Sequence, residues 1–179
     1  AYVQASFRTQ WLASLAHDLD GVLLIDEAYV DFAPRHCLDL VRDLENVIVL
    51  RTLSKGYSLA GLRFGYAVAQ PTLIEGLLKV KDSYNVDAVS IALATAAIQD
   101  QSYHRDTVER IKAARRDLTD RLRDLGLEVR DSHSNFLMAT CLKVRAADLY
   151  ERLAAQHIYV RYFNLPGLTD RLRISVGTP

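Results

Sequence analysis

The stretch VLLIDEAYVDFAP, residues 22–34, joins four consecutive apolar residues to a pair of acids. An unbroken apolar run such as Val22 to Ile25 is typical of a strand covered on both faces, as in the parallel sheet of an α/β protein. In such proteins ligands bind at the carboxyl ends of the strands. Asp26 stands at that position, so we expect its carboxylate to serve a positively charged group.

The same pattern returns further along the chain. A second apolar strand is predicted over Val47–Leu50, and its carboxyl end leads into Arg51–Lys55. A third, glycine-bounded strand is predicted over residues 62–69. Helical spacing of apolar residues predicts a helix that precedes the first strand and stops at Gly21, and Pro71 is expected to begin a helix to about Val80.

From about Asp87 onward helical patterns dominate, ending in a long charged amphipathic helix that stops at Gly126. Strand patterns and one helix, at about Ala146 to Ala155, follow it. This order predicts two domains with a boundary near residue 100. Residues 1–100 would be part of an α/β domain with a mostly parallel sheet, and residues 101–179 a smaller α+β domain.

Composition excludes several classes of protein. Half of the 179 residues are hydrophobic, so a sizeable core is expected, and 22 basic residues balance 22 acidic ones. Nothing therefore points to nucleic acid or an anionic membrane as a partner. No apolar run has the length of a membrane span and the first residues lack the layout of a signal peptide, which predicts a cytoplasmic protein.

The two cysteines and the chain ends carry weaker signals. Cys37 and Cys141 are far apart and in no metal-type spacing, so two reduced thiols are expected rather than a disulfide. The chain begins at Ala1 without a methionine and stops at "ISVGTP". We expect it to be a piece of a longer protein.

Lys55 is the residue whose position most needs an explanation. It lies where an apolar strand meets a glycine-rich turn, and an unpaired ammonium is costly to bury there. A Schiff base with an aldehyde cofactor removes that cost. Pyridoxal phosphate (PLP) requires such a lysine and an acid for its pyridinium nitrogen. Asp26 is the natural acid, because its charge keeps the ring nitrogen protonated.

Neighbouring residues complete this hypothesis. Tyr29 can hydrogen-bond the phenolic oxygen of the ring, while Ser54 and Arg63 offer a hydroxyl and a guanidinium to the phosphate. The glycines of this segment allow the backbone to fold closely around that group.

Five segments in order resemble blocks of the fold type I PLP-dependent aminotransferases, and look most like the histidinol-phosphate aminotransferase subfamily. They are "DEAYVDFA", "RTLSKGYSLAGLRFGY", "SYNVDAVSIALATAAIQD", "SNFLMA" and "LRISVGTP". The resemblance implies a large PLP-binding domain followed by a small carboxy-terminal domain. It also implies that Lys55 carries the cofactor and moves protons, with Asp26 and Tyr29 as ring partners and Ser54 and Arg63 as phosphate contacts.

The same resemblance extends to the substrate. Arg173 in "LRISVG" matches the arginine that binds the substrate's anionic group, and Arg161 is either a second anion contact or a surface residue. The expected small-molecule substrates are histidinol phosphate and 2-oxoglutarate, and the expected assembly is a homodimer. The family's amino-terminal half, with a phosphate-binding turn, an aromatic stacked on the ring and an asparagine, does not precede Ala1.

Other interpretations stay open. Four apolar residues followed by Asp26 and Glu27 also fit the magnesium site of a nucleotide hydrolase, but the phosphate loop that such a site needs is absent from the sequence. No metal site is expected, since the five histidines lack metal spacing. A PLP-dependent aminotransferase or decarboxylase of another amino acid or amino-acid phosphate remains an alternative. So does a truncated domain without catalytic activity.

Overall fold

The computed structural model describes residues 9–177, which form two compact units divided after Asp106. The division falls inside a long helix, close to the predicted boundary near residue 100. The first unit contains α1 (Thr9–Asp18), β1 (Leu23–Asp26), α2 (Leu38–Asp43), β2 (Val47–Thr52), β3 (Gly65–Ala69), α3 (Pro71–Val80), α4 (Ala88–Gln99) and the start of α5 (Gln101–Asp124). That these units are the two domains of the family stays a prediction.

The sheet of the first unit has the order β1-β2-β3. β1 and β2 are parallel, with Asp26 opposite Leu50, whereas β3 runs antiparallel and places Gly65 opposite Thr52. The start of β3 therefore lies at the same edge as the carboxyl ends of β1 and β2. This edge, which we call the site edge, is where the sequence predicted a ligand.

The third strand is shorter than predicted. Residues 62–69 were expected to be extended, but a 3-10 turn occupies Ala60–Leu62 and Arg63 adopts a left-handed conformation with φ of 54°. β3 begins only at Gly65. Arg63 accordingly belongs to the turn before the strand, which leaves it at the site edge.

The first core lies on one side of this sheet. Side chains from α1, α2 and β2 form it, and Val47 and Val49 are completely buried. The expectation that β1 is covered on both faces is wrong within the described residues. Successive strand residues point to opposite faces, so Leu23 and Ile25 pack on the core, whereas Leu24 is 55% exposed.

The second unit contains the rest of α5, then β4 (Glu128–Val129), β5 (Phe136–Thr140), α6 (Ala146–Ala155), β6 (Arg161–Tyr162) and β7 (Arg171–Ser175). Its strands form an antiparallel sheet in the order β4-β5-β7-β6. Leu137 and Ala139 of β5 are fully buried beside Val129 and the last turns of α5. This is the α+β arrangement that the sequence predicted.

None of the helices within residues 9–177 is both long and apolar enough to cross a membrane.

Leu137 should dominate the stability of the second unit. It is completely buried, so Leu137→Ala removes packed methyl groups and leaves a cavity, at an expected cost of about 2–5 kcal/mol in the free energy of unfolding. Urea denaturation followed by circular dichroism measures the loss. Leu142→Ala is the control, because Leu142 is 65% exposed and its truncation should cost less than about 0.5 kcal/mol. Equal losses in the two variants would contradict this account of the core.

Candidate active site at the edge of the first sheet

Asp26, Tyr29 and Lys55 all lie at, or shortly after, strand ends of the site edge. Asp26 ends β1 and its Oδ1 accepts a hydrogen bond from the backbone N–H of Ala28 at 2.9 Å, which turns the chain away from the strand. Tyr29 follows in that turn. The Nζ of Lys55 lies 5.5 Å from the centroid of the Tyr29 ring. The structure thus brings the predicted lysine and phenol together although they are far apart in the chain.

The turn after β2 holds Lys55 in place. The Ser54 N–H donates to Oγ1 of Thr52 at 3.1 Å, and the Ser58 N–H donates to the Lys55 carbonyl at 3.2 Å. The Leu59 N–H returns to the Leu53 carbonyl at 3.0 Å. These bonds close a compact turn around a half-buried lysine, and Ser54 is half-buried on the same turn.

Arg63 lies at the third strand end of the site edge. Its Nη1 donates to the Ala60 carbonyl at 2.9 Å, which fixes the side chain against its own turn. The residue is exposed within the described chain. A guanidinium in that position is accessible to an anion, and the role of Arg63 as a phosphate contact stays a prediction.

Glu27, the second acid of the opening stretch, has structural contacts. It is buried, and its Oε2 accepts hydrogen bonds from both Nε and Nη2 of Arg51 at 2.9 and 2.8 Å. Its other carboxylate oxygen accepts the backbone N–H of Cys37. The pair links β1, β2 and the start of α2, so Glu27 stabilises the strands whose ends carry the site.

A second, half-buried cluster lies beside Lys55, and the sequence did not predict it. His104 Nε2 lies 3.5 Å from the Asp31 carboxylate, the His104 ring stacks on Tyr57, and Gly56 packs directly on Asp31. For His104 the sequence indicated only that it is one of five histidines without metal spacing. Asp31 itself, the third acid in residues 22–34, was the only signal in the sequence. Its spacing from His104, more than seventy residues later, does not indicate that the two are in contact.

Two arginines of the second unit share one face of its sheet. Arg161 of β6 and Arg173 of β7 are directly opposite each other in the antiparallel register. Their guanidinium carbons lie 5.5 and 5.8 Å from the ring centroid of Phe163, and Arg173 also lies 5.0 Å from that of Phe136. Like charges directly opposite on neighbouring strands destabilise a sheet. An anion between the two guanidiniums would remove that repulsion.

These residue types limit what the site can do. Among the described residues, no group of three or more His, Cys, Asp or Glu side chains is arranged to hold a metal ion. The site edge instead presents an amine, a carboxylate, a phenol, a hydroxyl and a guanidinium. That set suits an organic ligand that has both a carbonyl group and an anionic group.

The Cys37 thiol next to Glu27 should be chemically inert. Burial, the charge of Glu27 and the hydrogen bond with it raise the pKa of Cys37 to about 11. At pH 8 roughly one thiol in a thousand is then ionised, against about a quarter for an ordinary cysteine. In a Cys141→Ser variant, we expect iodoacetamide to alkylate Cys37 about a hundredfold more slowly than glutathione at pH 8, and faster as the pH approaches 11. Equal rates at pH 8 would contradict the raised pKa.

Comparison with known proteins places this geometry in a family. Residues 8–179 match the family described as Aminotransferase class I and II. A histidinol-phosphate aminotransferase of Trichormus variabilis is 56% identical over 167 residues, which cover 93% of this chain and 48% of that relative. One from Rhodopirellula baltica is 49% identical over 167 residues, covering 93% of this chain and 46% of the relative.

Solved structures agree with this assignment. The histidinol-phosphate aminotransferase from Sinorhizobium meliloti, in complex with pyridoxal-5'-phosphate, superposes with a TM-score of 0.88 at 29% identity, over 99% of this chain and 50% of that one. The chain spans about half the length of the curated relatives that it matches. The family resemblance and the fold class predicted from the sequence are confirmed: this chain belongs to the class I and II aminotransferase family.

Proposed function

We propose that this chain is the carboxy-terminal part of a PLP-dependent aminotransferase that moves an amino group between histidinol phosphate and 2-oxoglutarate. The observation that carries the proposal is the position of the Lys55 amine beside Tyr29 at the site edge. The relatives with 49–56% identity support the substrate, since they are histidinol-phosphate aminotransferases.

The residues of the site edge fit the cofactor. A Cβ at Gly56 would lie 2.2 Å from the Asp31 carboxylate, so only glycine lets the backbone after Lys55 take its present path. Ser54 and Arg63 lie at the ends of neighbouring strands and supply neutral and cationic donors for a phosphate. When bound, PLP supplies a ring that takes up the electron pair released as the Cα–H bond of the substrate breaks.

Each residue of this chain would have a defined task. Lys55 would attach the cofactor through its Nζ and then, as a free amine, move the Cα proton. The Asp26 carboxylate would accept the hydrogen bond of the pyridinium N–H and keep that nitrogen protonated. The Tyr29 hydroxyl would donate to the phenolic oxygen of the ring. Ser54 and Arg63 would anchor the phosphate and so orient the ring over Lys55.

In the second unit, Arg161 and Arg173 would bind the anionic group of the substrate. Within residues 9–177 neither guanidinium forms an ion pair with a carboxylate, and both contact the Phe163 ring. Two fixed cations with no acidic partner are an arrangement that favours a phosphate or carboxylate. This observation supports a phosphorylated amino donor.

The proposal includes a homodimer in the cytoplasm. α4 is apolar around its whole circumference, a pattern typical of a buried helix. Within the described chain, however, several of its large side chains are exposed: Val89, Ile91, Leu93 and Ile98. Such a helix needs a cover, and a second subunit or the remaining length of the protein would provide it. Sedimentation of the full-length enzyme as an active monomer would contradict the dimer.

A coupled assay of the full-length enzyme tests the substrate. Turnover is expected with histidinol phosphate and 2-oxoglutarate, and weak or no turnover with phenylalanine, tyrosine or threonine phosphate. Release of CO₂ from an amino-acid phosphate would favour the decarboxylase alternative. If histidinol phosphate alone is not turned over, the proposed substrate is contradicted but the family assignment is not. An intact full-length protein without transamination of any donor would favour the non-catalytic alternative.

Replacing Lys55 should abolish transamination. In the full-length enzyme we expect Lys55→Ala to lower kcat by several orders of magnitude, because both the covalent anchor and the proton-moving base are lost. Lys55→Arg should not restore activity, since a guanidinium stays protonated. Borohydride reduction of the PLP-loaded enzyme should label the peptide that contains Ser54 to Arg63, as read by mass spectrometry.

The control for this experiment is Lys79, an exposed lysine in the last turn of α3. Lys79→Ala should retain the activity of the parent enzyme. Borohydride labelling at Lys79 or Lys81, or full activity of Lys55→Ala, would show that the cofactor site lies elsewhere.

Arg173→Gln should separate phosphate binding from chemistry. A charged hydrogen bond contributes about 1.5–3 kcal/mol, so KM for histidinol phosphate should rise roughly 10- to 150-fold in the full-length enzyme, with a smaller change in kcat. Unphosphorylated histidinol should show a much smaller change in KM. Arg152→Gln, on the exposed side of α6, is the matched control. An equal loss with both substrates would contradict an anion site at Arg173.

A further inference from the structure

Four residues form a closed cluster behind the Lys55 turn, which we call the turn cluster: Asp31, Gly56, Tyr57 and His104. Asp31 lies in the 3-10 turn that follows Tyr29, and His104 lies near the start of α5. The side chains of Asp31, Tyr57 and His104 have no task in the proposed chemistry. Two members of the cluster, Gly56 and Tyr57, nevertheless come directly after Lys55, and Asp31 and His104 contact them.

Asp31 contacts the turn from one side. An ideal Cβ at Gly56 would lie 2.2 Å from its Oδ2 and 2.5 Å from its Cγ, far inside normal contact distance. The backbone of Gly56 therefore rests directly on the carboxyl group. Because Gly56 is covalently joined to Lys55, the position of the Asp31 side chain limits where the backbone of Lys55 can lie.

His104 contacts the same turn from another side. Its ring stacks on Tyr57 with centroids 4.0 Å apart and an angle of 13° between the planes. Gln101, one turn earlier on α5, donates from Nε2 to the Tyr57 hydroxyl at 3.2 Å. The start of α5 thus fixes Tyr57, two residues after Lys55.

The two sides of the cluster are joined electrostatically. His104 Nε2 lies 3.5 Å from Asp31 Oδ1, and the two side chains are 12% and 17% exposed. Burial raises the pKa of Asp31, while the positive charges of His104 and Arg51 lower it and the charge of Glu27 raises it. Within residues 9–177 the buried Nε2 has no hydrogen-bond partner and faces that carboxylate. A carboxylate that is largely removed from water is stabilised by a polar partner, and the His104 ring lies in position to be that partner.

We propose that Asp31 and His104 are a positioning pair that fixes the backbone of Lys55 through Gly56 and Tyr57, and so keeps the lysine amine beside the Tyr29 ring. The proposal rests on the proposed function to the extent that Lys55 is the reacting group. Neither residue touches the reacting atoms. They act by restricting a turn whose glycine and aromatic residue they contact from two elements.

The test uses Asp31→Asn and His104→Phe in the full-length enzyme. His104→Phe keeps an aromatic ring against Tyr57 but removes the ion pair. Each variant is expected to lower kcat about 10- to 100-fold, as a small misplacement of a reacting group does, while KM for the amino donor stays within threefold. The double variant should lose little more than either single variant, because both changes remove the same interaction.

Two further measurements use the enzyme without cofactor. In both variants hydrogen–deuterium exchange should accelerate at residues 55–58 and stay unchanged in the peptides of the second unit. In trace labelling with acetic anhydride, the acetylation rate of Lys55 should change several-fold. Lys79 of the same molecule serves as the internal reference. A general loss of stability would accelerate exchange throughout and alter both lysines.

The chain offers a matched control in another His–Asp pair. His17 and Asp18 lie 3.3 Å apart but are 84% and 80% exposed, so Asp18→Asn should leave kcat, exchange and labelling unchanged. Should Asp31→Asn fail to fold, His104→Phe alone decides the question through the same measurements. If the double variant shows the product of the two single losses of kcat, the positioning pair is contradicted. It is also contradicted if hydrogen–deuterium exchange at residues 55–58 and labelling of Lys55 stay unchanged.

The outcomes also separate this inference from the proposed function. Full activity of Lys55→Ala would contradict the proposed function. Hydrogen–deuterium exchange and lysine labelling would still show whether Asp31 and His104 fix the turn at residues 55–58. If Lys55 is essential but both pair variants leave kcat and the turn unchanged, only the positioning pair is wrong.

Discussion

The register of three short strands is the constraint on which the site depends. Parallel pairing of β1 with β2 places Asp26 opposite Leu50, and antiparallel pairing of β2 with β3 places Gly65 opposite Thr52. Strand ends that are distant in the chain therefore meet at one edge. A slip of one residue in β2 would turn its alternate side chains to the other face and move the turn that carries Lys55. The buried contact between Glu27 and Arg51 ties β1 to β2 at that edge, so it opposes such a slip.

Backbone geometry matters as much as side-chain chemistry at this edge. Gly56 cannot carry a side chain, because Asp31 occupies the space where a Cβ would lie. Arg63 takes a left-handed conformation, which ends one turn and lets β3 begin two residues later. Non-glycine residues adopt that conformation at some energetic cost, and such strain is often found at functional sites. Both features belong to the turns that hold Lys55 and Arg63 at the site edge.

Periodicity and turn chemistry predicted most elements of the fold from sequence. The observed bounds of α3 and α6 match the predicted ones. A proline at the start of a helix and an apolar stripe along it are local signals, so they can be identified in the sequence. The extent of β3 was not predictable, because it is decided by its pairing with β2. The prediction that both faces of β1 are buried was also wrong within the described residues. An apolar run shows only that a strand can be buried on both faces, and Leu24 is exposed there. Lys55 and its neighbours were predicted as a site from local motifs, whereas the pairing of Asp31 with His104 depends on tertiary packing alone.

The cations of the chain are placed according to what their chemistry permits. Arginine stays protonated at every ordinary pH, so the half-buried Arg51 needs the Glu27 carboxylate beside it. Arg161 and Arg173 lack carboxylate partners among residues 9–177 and lie instead against aromatic faces, which is compatible with the anion site that we propose there. Lysine can lose its proton, and a group that must act first as a nucleophile and then as a base needs that property. Lys55 lies half-buried beside the Tyr29 ring and forms no ion pair within the described residues, which is compatible with the covalent role that we propose for it.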